Sequence, residues 1–109
     1  MRERRQNERV GVSFPVECRT LPSKNYFYTV SKDLSANGAR IVSNEFLAKN
    51  NELKLNINLI DKVLNIKARV SWCNKERSAE RFSTGLEFLE LTEPNKKTLS
   101  AFLNKIVNS

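Results

Sequence analysis

The sequence has no histidine and only two cysteines among its 109 residues. Histidine is the commonest general base, and no serine or cysteine here lies in a recognisable nucleophile motif. Cys18 and Cys73 lack the paired spacing of a zinc site, so we expect no metal. Both fall at apolar positions of predicted strands, which favours buried, reduced thiols. These absences weigh against an enzyme.

Long hydrophobic runs are also missing. No apolar stretch approaches the roughly 20 residues that span a bilayer, and the arginine-rich N-terminus has no apolar segment behind it. We therefore expect neither a membrane anchor nor a secretory signal, and a cytoplasmic protein. The chain is long enough for one domain with a small hydrophobic core, and we take residues 1–109 as a single domain.

Positive charge is in excess, with 19 Lys and Arg against 12 Asp and Glu and a net charge of +7. Such a balance favours an anionic partner. Nucleic acid, an acidic lipid surface and a dianionic dinucleotide all qualify, and charge alone does not choose between them.

Alternating apolar residues predict six strands. They are Val10, Val12, Phe14, Val16 and Cys18; Tyr26, Tyr28 and Val30; residues 39–42; Leu53, Leu55, Ile57 and Leu59; Leu64, Ile66, Ala68, Val70 and Trp72; and Phe82, Thr84, Leu86 and Phe88. Pro15 has the opposite parity in the first strand, which suggests an edge or a bulge. Asn37-Gly38 and Asp61-Lys62 indicate tight connections, a polar loop is expected over residues 74–80, and Gly85 suggests a bulge or a close backbone approach.

Six strands imply an all-β, closed or nearly closed antiparallel barrel over residues 10–90. Thr92 can cap a helix over residues 92–107, whose apolar stripe has 3.6-residue spacing and would pack against the barrel. The stripe consists of Leu99, Phe102, Leu103, Ile106 and Val107. Residues 1–9 are charged and lack apolar periodicity, which predicts a flexible N-terminal arm that becomes ordered on binding.

Two short motifs in the first third of the chain have the chemistry of a binding site. Arg5 and Arg9 form R-x-x-x-R, and Asp33, Ser35 and Gly38 form [D/N]-x-S-x-x-G. Arginine presents planar forks of donors that match phosphate oxygens and the acceptor edge of guanine. Asp33 can accept from guanine N–H groups, Ser35 can contact base or phosphate, and Gly38 lets the backbone turn where a Cβ would clash.

The two motifs differ in specificity. With nine arginines in the chain, random placement gives roughly one R-x-x-x-R, whereas the second motif has about 0.04 expected occurrences. Each motif also has an ordinary structural interpretation without a ligand. The arginines can belong to a solvated basic tail, and residues 33–38 can form a common hairpin turn. It is their conjunction that indicates a site for a cyclic dinucleotide.

Residues 5–9 and 33–38 match the signature of the PilZ domains without substitution, and residues 85–88 resemble the glycine-led last strand of that family. The chain thus resembles a single-domain PilZ protein. The resemblance implies a six-stranded antiparallel PilZ-type β-barrel with a C-terminal α-helix. It also implies a bacterial receptor that binds the second messenger cyclic di-GMP, without a cofactor, between the arm and the barrel surface. Such a receptor would signal to an unidentified downstream protein, as a monomer or weak dimer.

Three further residues gain an interpretation from the resemblance. Arg4 immediately precedes the arginine motif, and an arginine there resembles the form that holds two stacked ligand molecules, with a single ligand as the alternative. Trp72 resembles an aromatic residue near the site of some relatives, although its parity here is that of the core positions, which favours burial. Arg40 could reach a phosphate or be a solvated strand residue.

Two other functions stay open. A small basic β-barrel can bind single-stranded nucleic acid through a positive groove and stacked aromatics such as Tyr26, Phe27 and Tyr28. A PilZ-fold module can also act through protein contacts alone. We favour the dinucleotide over both, because neither alternative needs the two arginines together with the Asp-Ser-Gly set.

Overall fold

A computed structural model describes residues 13–21, 26–77 and 80–107, in which six strands precede one helix. The elements are β1 (Phe14–Leu21), β2 (Tyr26–Leu34), β3 (Gly38–Ser43), β4 (Glu52–Asn58), β5 (Val63–Lys75), β6 (Phe82–Leu89) and α1 (Glu93–Val107). The predicted arm over residues 1–9, with Arg4, Arg5 and Arg9, and the predicted start of the first strand at Val10 lie outside the described residues.

The strands close into a barrel in the order β1-β2-β3-β6-β5-β4, and every neighbouring pair is antiparallel. The predicted antiparallel barrel is therefore confirmed. Pro15 lies opposite Val30 of β2, while the pairing of β1 with β4 begins one residue later, at Val16 and Ile57. Pro15 thus occupies the edge-like position that its missing N–H requires.

Inward-facing side chains from all six strands fill the barrel. The buried apolar residues are Phe14, Val16, Cys18, Leu34, Ala39, Ile41, Leu53, Leu55, Ile57, Leu59, Leu64, Ile66, Ala68, Val70, Leu86 and Leu99. Cys18 is a fully buried free thiol, as predicted, whereas Cys73 is a free thiol that is only half-buried. The alternation in β1, β4, β5 and β6 therefore identified most of the core.

Helix α1 packs against the barrel. The Thr92 hydroxyl accepts a hydrogen bond from the Asn95 backbone N–H at 3.2 Å, which is the predicted N-cap. Leu99 is buried, and the rings of Phe14 and Phe102 meet edge-to-face with centroids 4.9 Å apart. The Asn95 side chain also donates to the Asn65 carbonyl at 3.0 Å. Among the described residues, no helix is both long and apolar enough to cross a membrane.

Strands β2 and β5 differ from their sequence pattern. The residues whose alternation predicted β2, namely Tyr26, Tyr28 and Val30, lie on its exposed outer face, because β2 turns the intervening Phe27 and Thr29 inward. Strand β5 extends to Lys75, so Asn74 and Lys75 belong to the strand rather than to the predicted polar loop.

Candidate ligand-binding surface

The turn between β2 and β3 is organised by the side chain of Ser35. Its Oγ accepts hydrogen bonds from the backbone N–H groups of Asn37 and Gly38, each at 3.2 Å, and donates to the Gly38 carbonyl at 3.3 Å. The Ser35 N–H donates to the same carbonyl at 2.9 Å. Ser35 is only 2% exposed, so its hydroxyl is engaged inside the turn. Its predicted contact with a base or phosphate stays a prediction.

Gly38 is required by close packing rather than by an unusual backbone conformation. A Cβ on Gly38 would overlap the carbonyl oxygen of Leu86 on β6 and lie 3.2 Å from its carbonyl carbon. Among the described residues, positive φ is confined to Asn50, Ile60 and Glu90. The Asn37-Gly38 pair therefore marks the hairpin without forming the mirror-image turn that this dipeptide usually makes.

Asp33 and Arg40 face each other across β2 and β3. The Arg40 Nε lies 3.2 Å from Asp33 Oδ2, and Arg40 Nη1 donates to the Ser83 hydroxyl at 3.1 Å. The side chains of Asp33 and Arg40 are 18% and 35% exposed, respectively. The two residues thus present a carboxylate and a guanidinium side by side at the barrel surface.

Trp72 lies on the outer face of the barrel. The prediction that Trp72 is buried, which followed from its place among the alternating apolar residues of the strand, is therefore wrong. A register shift between Val70 and Trp72 on β5 breaks the alternation and turns the indole outward, where Trp72 is 39% exposed. Trp72 pairs with Gly85 of β6. A Cβ on Gly85 would overlap the indole, so the group that approaches Gly85 closely is a side chain and not the predicted backbone. The predicted bulge lies on the neighbouring strand, β5.

These residues form one row across four strands. Asp33 is opposite Arg40, Arg40 is opposite Gly85, and Gly85 is opposite Trp72. The row places a carboxylate, a guanidinium and a partly exposed indole on one continuous face, with the Ser35 turn at the end of β2 and β3. We call this face the row surface.

A second cross-strand row borders the row surface on the side of the turn. It runs from Gly38 through Glu87 to Arg69, and Arg69 Nη2 lies 2.9 Å from Glu87 Oε1. This pair is solvent-accessible, and Arg40 is the cation within the row itself. Within residues 13–21, 26–77 and 80–107, no three His, Cys, Asp or Glu side chains are grouped as a metal site requires.

The structure brings Asp33, Arg40 and Trp72 onto one face, whereas the positions of Arg4, Arg5 and Arg9 relative to it are not described. Sequence reasoning missed Ser83 and the role of Gly85 as the residue whose missing side chain leaves room for the indole. The glycine in residues 85–88 was the available signal, but pairing it with Trp72 required the register of β5 and β6.

The aromatics invoked for nucleic-acid stacking do not share one face. Tyr26 and Tyr28 are outside the barrel and Phe27 is directed inward. The Arg19 guanidinium lies 5.5 Å from the Tyr26 ring centroid and donates to its hydroxyl at 3.3 Å. This segment therefore offers two rings on its outer face rather than a run of three.

The sequence profile of the PilZ domain matches residues 3–105. No curated protein matches the chain in sequence. Among solved structures, the PilZ domain of YcgR from Escherichia coli, determined with c-di-GMP, superposes with a TM-score of 0.77 at 12% identity, covering 97% of this chain and 93% of that one.

Two longer proteins contain a similar fold. MrkH of K. pneumonia matches with a TM-score of 0.83 at 17% identity, and the inhibitor of motility MotI/DgrA of Bacillus subtilis with 0.77 at 22%. Each match covers 98% of this chain, which spans 51% of MrkH and 53% of MotI/DgrA. At these identities the likeness concerns the fold. Because the family profile extends over nearly the whole sequence, the chain belongs to the PilZ domain family.

Proposed function

We propose that this chain is a bacterial receptor for cyclic di-GMP, which binds between residues 1–9 and the row surface, and that the bound state signals to a protein partner instead of catalysing a reaction. The family, the intact motifs and the c-di-GMP in the YcgR structure support the ligand. The observation that carries the proposal is the row itself, because a purine base and a phosphate need an aromatic face, a cation and an acceptor close together.

Each member of the row has a chemical role in this proposal. The exposed face of Trp72 stacks on a guanine, which contributes about 1–3 kcal/mol for a base on an aromatic side chain. The Arg40 guanidinium donates to a phosphate oxygen. Asp33, whose carboxylate already accepts from Arg40, accepts in addition from guanine N–H groups.

The turn and the arm complete the site. Ser35 and Gly38 fix the hairpin so that Asp33 and Arg40 stay opposite each other. Arg5 and Arg9 supply forks of donors for guanine edges and phosphates, and Arg4 adds the charge that lets a second, stacked ligand molecule bind. Binding is noncovalent, so the residues act by position and charge.

The signal is a disorder-to-order switch. A dinucleotide that contacts both the arm and the row surface holds residues 1–9 against the barrel, and the ordered arm changes the shape and potential that a partner meets. This step is tested by amide exchange of residues 2–9. Unchanged exchange at saturating cyclic di-GMP would rule out the clamp.

The binding itself is tested by calorimetric titration of cyclic di-GMP, with GTP as a ligand control. We expect saturable binding of cyclic di-GMP and none of GTP. Arg5→Ala should weaken binding roughly ten-fold or more, because an arginine contact to a guanine edge contributes about 1–3 kcal/mol. Two ligands per chain would support the role of Arg4.

A matched control removes a positive charge elsewhere. Lys97 is exposed on α1, so Lys97→Ala lowers the net charge by the same amount as Arg5→Ala without touching the proposed site. Its affinity should stay within about two-fold of wild type. Equal weakening by both variants, or no binding by folded protein, would overturn the proposed function.

A further inference from the structure

Strand β5 changes its inward parity at the bulge after Val70. Val70 is buried and Cys73 packs against the core, so both residues belong to the inner side of the barrel. Inward residues of a regular strand are separated by an even number of positions, whereas these two are separated by an odd number. The bulge takes up the difference and leaves Trp72 on the outer face.

The loop that connects β3 to β4, residues 44–51, is hydrogen-bonded to β5 directly before the bulge. The Asn50 N–H donates to the Val70 carbonyl at 2.8 Å, and the Val70 N–H donates to the Asn51 carbonyl at 2.9 Å. These two bonds extend the pairing of β4 with β5 beyond Glu52, up to the position where the register shifts. We call residues 44–51 the bracing loop.

The bracing loop is bonded to β5 again directly after the bulge. The Leu47 N–H donates to Cys73 Sγ at 3.4 Å, and the fully buried hydroxyl of Thr84 donates to the same sulfur at 3.2 Å. The sulfur therefore lies between the loop and β6. One loop thus holds the inward residue on each side of Trp72, namely Val70 and Cys73.

Asn50 has the backbone conformation that this arrangement requires. Its φ of 74° is left-handed, which asparagine and glycine adopt readily and which strains a β-branched residue. The next residue, Asn51, donates its N–H to the Ala48 carbonyl at 3.1 Å. The chain therefore turns back at Asn50, at the point where the pairing with β5 reaches the bulge.

We propose that the bracing loop positions Trp72 for ligand binding, with Asn50 and Cys73 as positioning residues that hold the bulge. This role rests on the proposed function, in which the indole stacks on a guanine. Without the two attachments, β5 can shift by one residue toward regular alternation, and such a shift exchanges the inner and outer faces of a strand. The indole then leaves its place over Gly85 and is no longer presented to a base.

The relation between the bracing loop and the ligand is reciprocal. A register that binds cyclic di-GMP more tightly than a shifted one is stabilised by the ligand by the same factor. The N–H groups of Leu47 and Asn50 report on this register, because they donate to the residues on either side of the bulge. Saturating cyclic di-GMP should slow exchange of both amides at least about five-fold. It should slow the Leu59 amide, which is bonded within the β4–β5 hairpin, by a smaller factor.

The main test compares two substitutions that place the same β-branched residue at a positive φ. Asn50→Val strains the bracing loop. Glu90→Val is the matched control, because Glu90 has a φ of 47° and lines a different surface, a cavity shared with Glu17 and Lys54. Asn50→Gly keeps the left-handed conformation and is the rescue variant.

The first readout is the emission of Trp72, the only tryptophan, without ligand. Asn50→Val should shift the emission to longer wavelength and weaken cyclic di-GMP binding about ten-fold, as expected for a lost stacking contact. Glu90→Val and Asn50→Gly should leave the emission unchanged and the affinity within about two-fold of wild type. If Asn50→Val does not fold, Cys73→Ala carries the test. It removes the acceptor of the Leu47 N–H and should shift the emission in the same direction.

The outcomes separate this role from the proposed function. Wild-type emission and affinity in folded Asn50→Val and Cys73→Ala would overturn the positioning role and leave the receptor in place. Equal changes in Asn50→Val and Glu90→Val would also overturn it, because they would reflect lost stability instead of lost position. A shifted emission in Asn50→Val, together with wild-type protein that does not bind cyclic di-GMP, would overturn the proposed function and confirm that the bracing loop orients the indole.

Discussion

The indole of Trp72 lies over Gly85 of the neighbouring strand, and this contact explains why Gly85 is buried on the outer face of a barrel. The bulge after Val70 turns the ring outward, and the missing side chain of Gly85 leaves room for it. One irregularity in β5 and one glycine in β6 thus create the aromatic part of the row surface.

Gly85→Ala should displace the indole and leave the barrel folded. The new Cβ would overlap two indole atoms and lie 2.8 Å from a third, Cζ2, and a partly exposed side chain can move away. Trp72 is the only tryptophan, so its emission should shift to longer wavelength. Affinity for cyclic di-GMP should fall about ten-fold, since a stacked base contributes about 1–3 kcal/mol. Unchanged emission and affinity would contradict the contact.

Gly38→Ala should reduce stability more than Gly85→Ala does. The Cβ on Gly38 meets the backbone of Leu86, which cannot move without disturbing the pairing of β3 with β6. We expect the free energy of unfolding to fall by about 1–3 kcal/mol, measured by urea titration. An equal decrease in unfolding free energy in the two variants would show that the Leu86 backbone moves away from the new Cβ as readily as the indole does.

Ser35→Ala should loosen the β2–β3 turn. The variant leaves the N–H groups of Asn37 and Gly38 without their acceptor. Water can replace the hydroxyl at the exposed Asn37, whereas Gly38 is buried, and an unsatisfied buried group destabilises by about 1–3 kcal/mol. Amide exchange at these two residues should accelerate. Ser83→Ala is the matched control, because Ser83 is half-buried and makes a hydrogen bond to Arg40; its effect should be within about 0.5 kcal/mol.

The Asp33–Arg40 pair should matter more for binding than for folding. Both side chains are partly exposed, and a double-mutant cycle of Asp33→Asn and Arg40→Gln should give a coupling in unfolding free energy of about 0.2–1 kcal/mol. Arg40→Gln should weaken cyclic di-GMP binding by roughly ten-fold, as expected for a lost charge-assisted contact. Unchanged affinity would remove Arg40 from the site.

Stability should decline in alkaline solution because of Cys18. Burial, with a smaller contribution from Glu17, raises the pKa of the Cys18 thiol from 9.0 to about 12. The unfolded thiol ionises first, so the folded state binds more protons above pH 9.0, and stability falls by up to about 1.4 kcal/mol per pH unit until the folded pKa is reached.

The measurement is the difference between wild type and Cys18→Ala in urea titrations from about pH 7 to about pH 11. Lysine and tyrosine titrations are common to both proteins and cancel in the difference. Cys18→Ala should be less stable than wild type at neutral pH because it leaves a cavity. The difference in unfolding free energy between the two proteins should become smaller as the pH rises. A difference in unfolding free energy that stays constant with pH would mean that the thiol has the same pKa in the folded and unfolded states.

Much of the fold followed from the chain alone. Period-two alternation in β1, β4, β5 and β6 identified most of the core, and the spacing of Leu99, Phe102 and Leu103 identified the packing face of α1. Alternation failed at β2, where Tyr26 and Tyr28 mark the outer face, because aromatic residues suit either side of a half-buried strand.

The amino-acid sequence by itself determined the class of the fold, the Thr92 cap, the two motifs and the positive charge, because each depends on local pattern or composition. Only the tertiary structure decided that Trp72 faces outward, that Ser35 is engaged in the turn, that Gly38 is required by Leu86, and that residues 26–30 of β2 pair with β1 but not with β3. The physical reason is register: a bulge or a missing pairing partner depends on strands distant in the chain, and a shift of one residue exchanges the inner and outer faces of a strand.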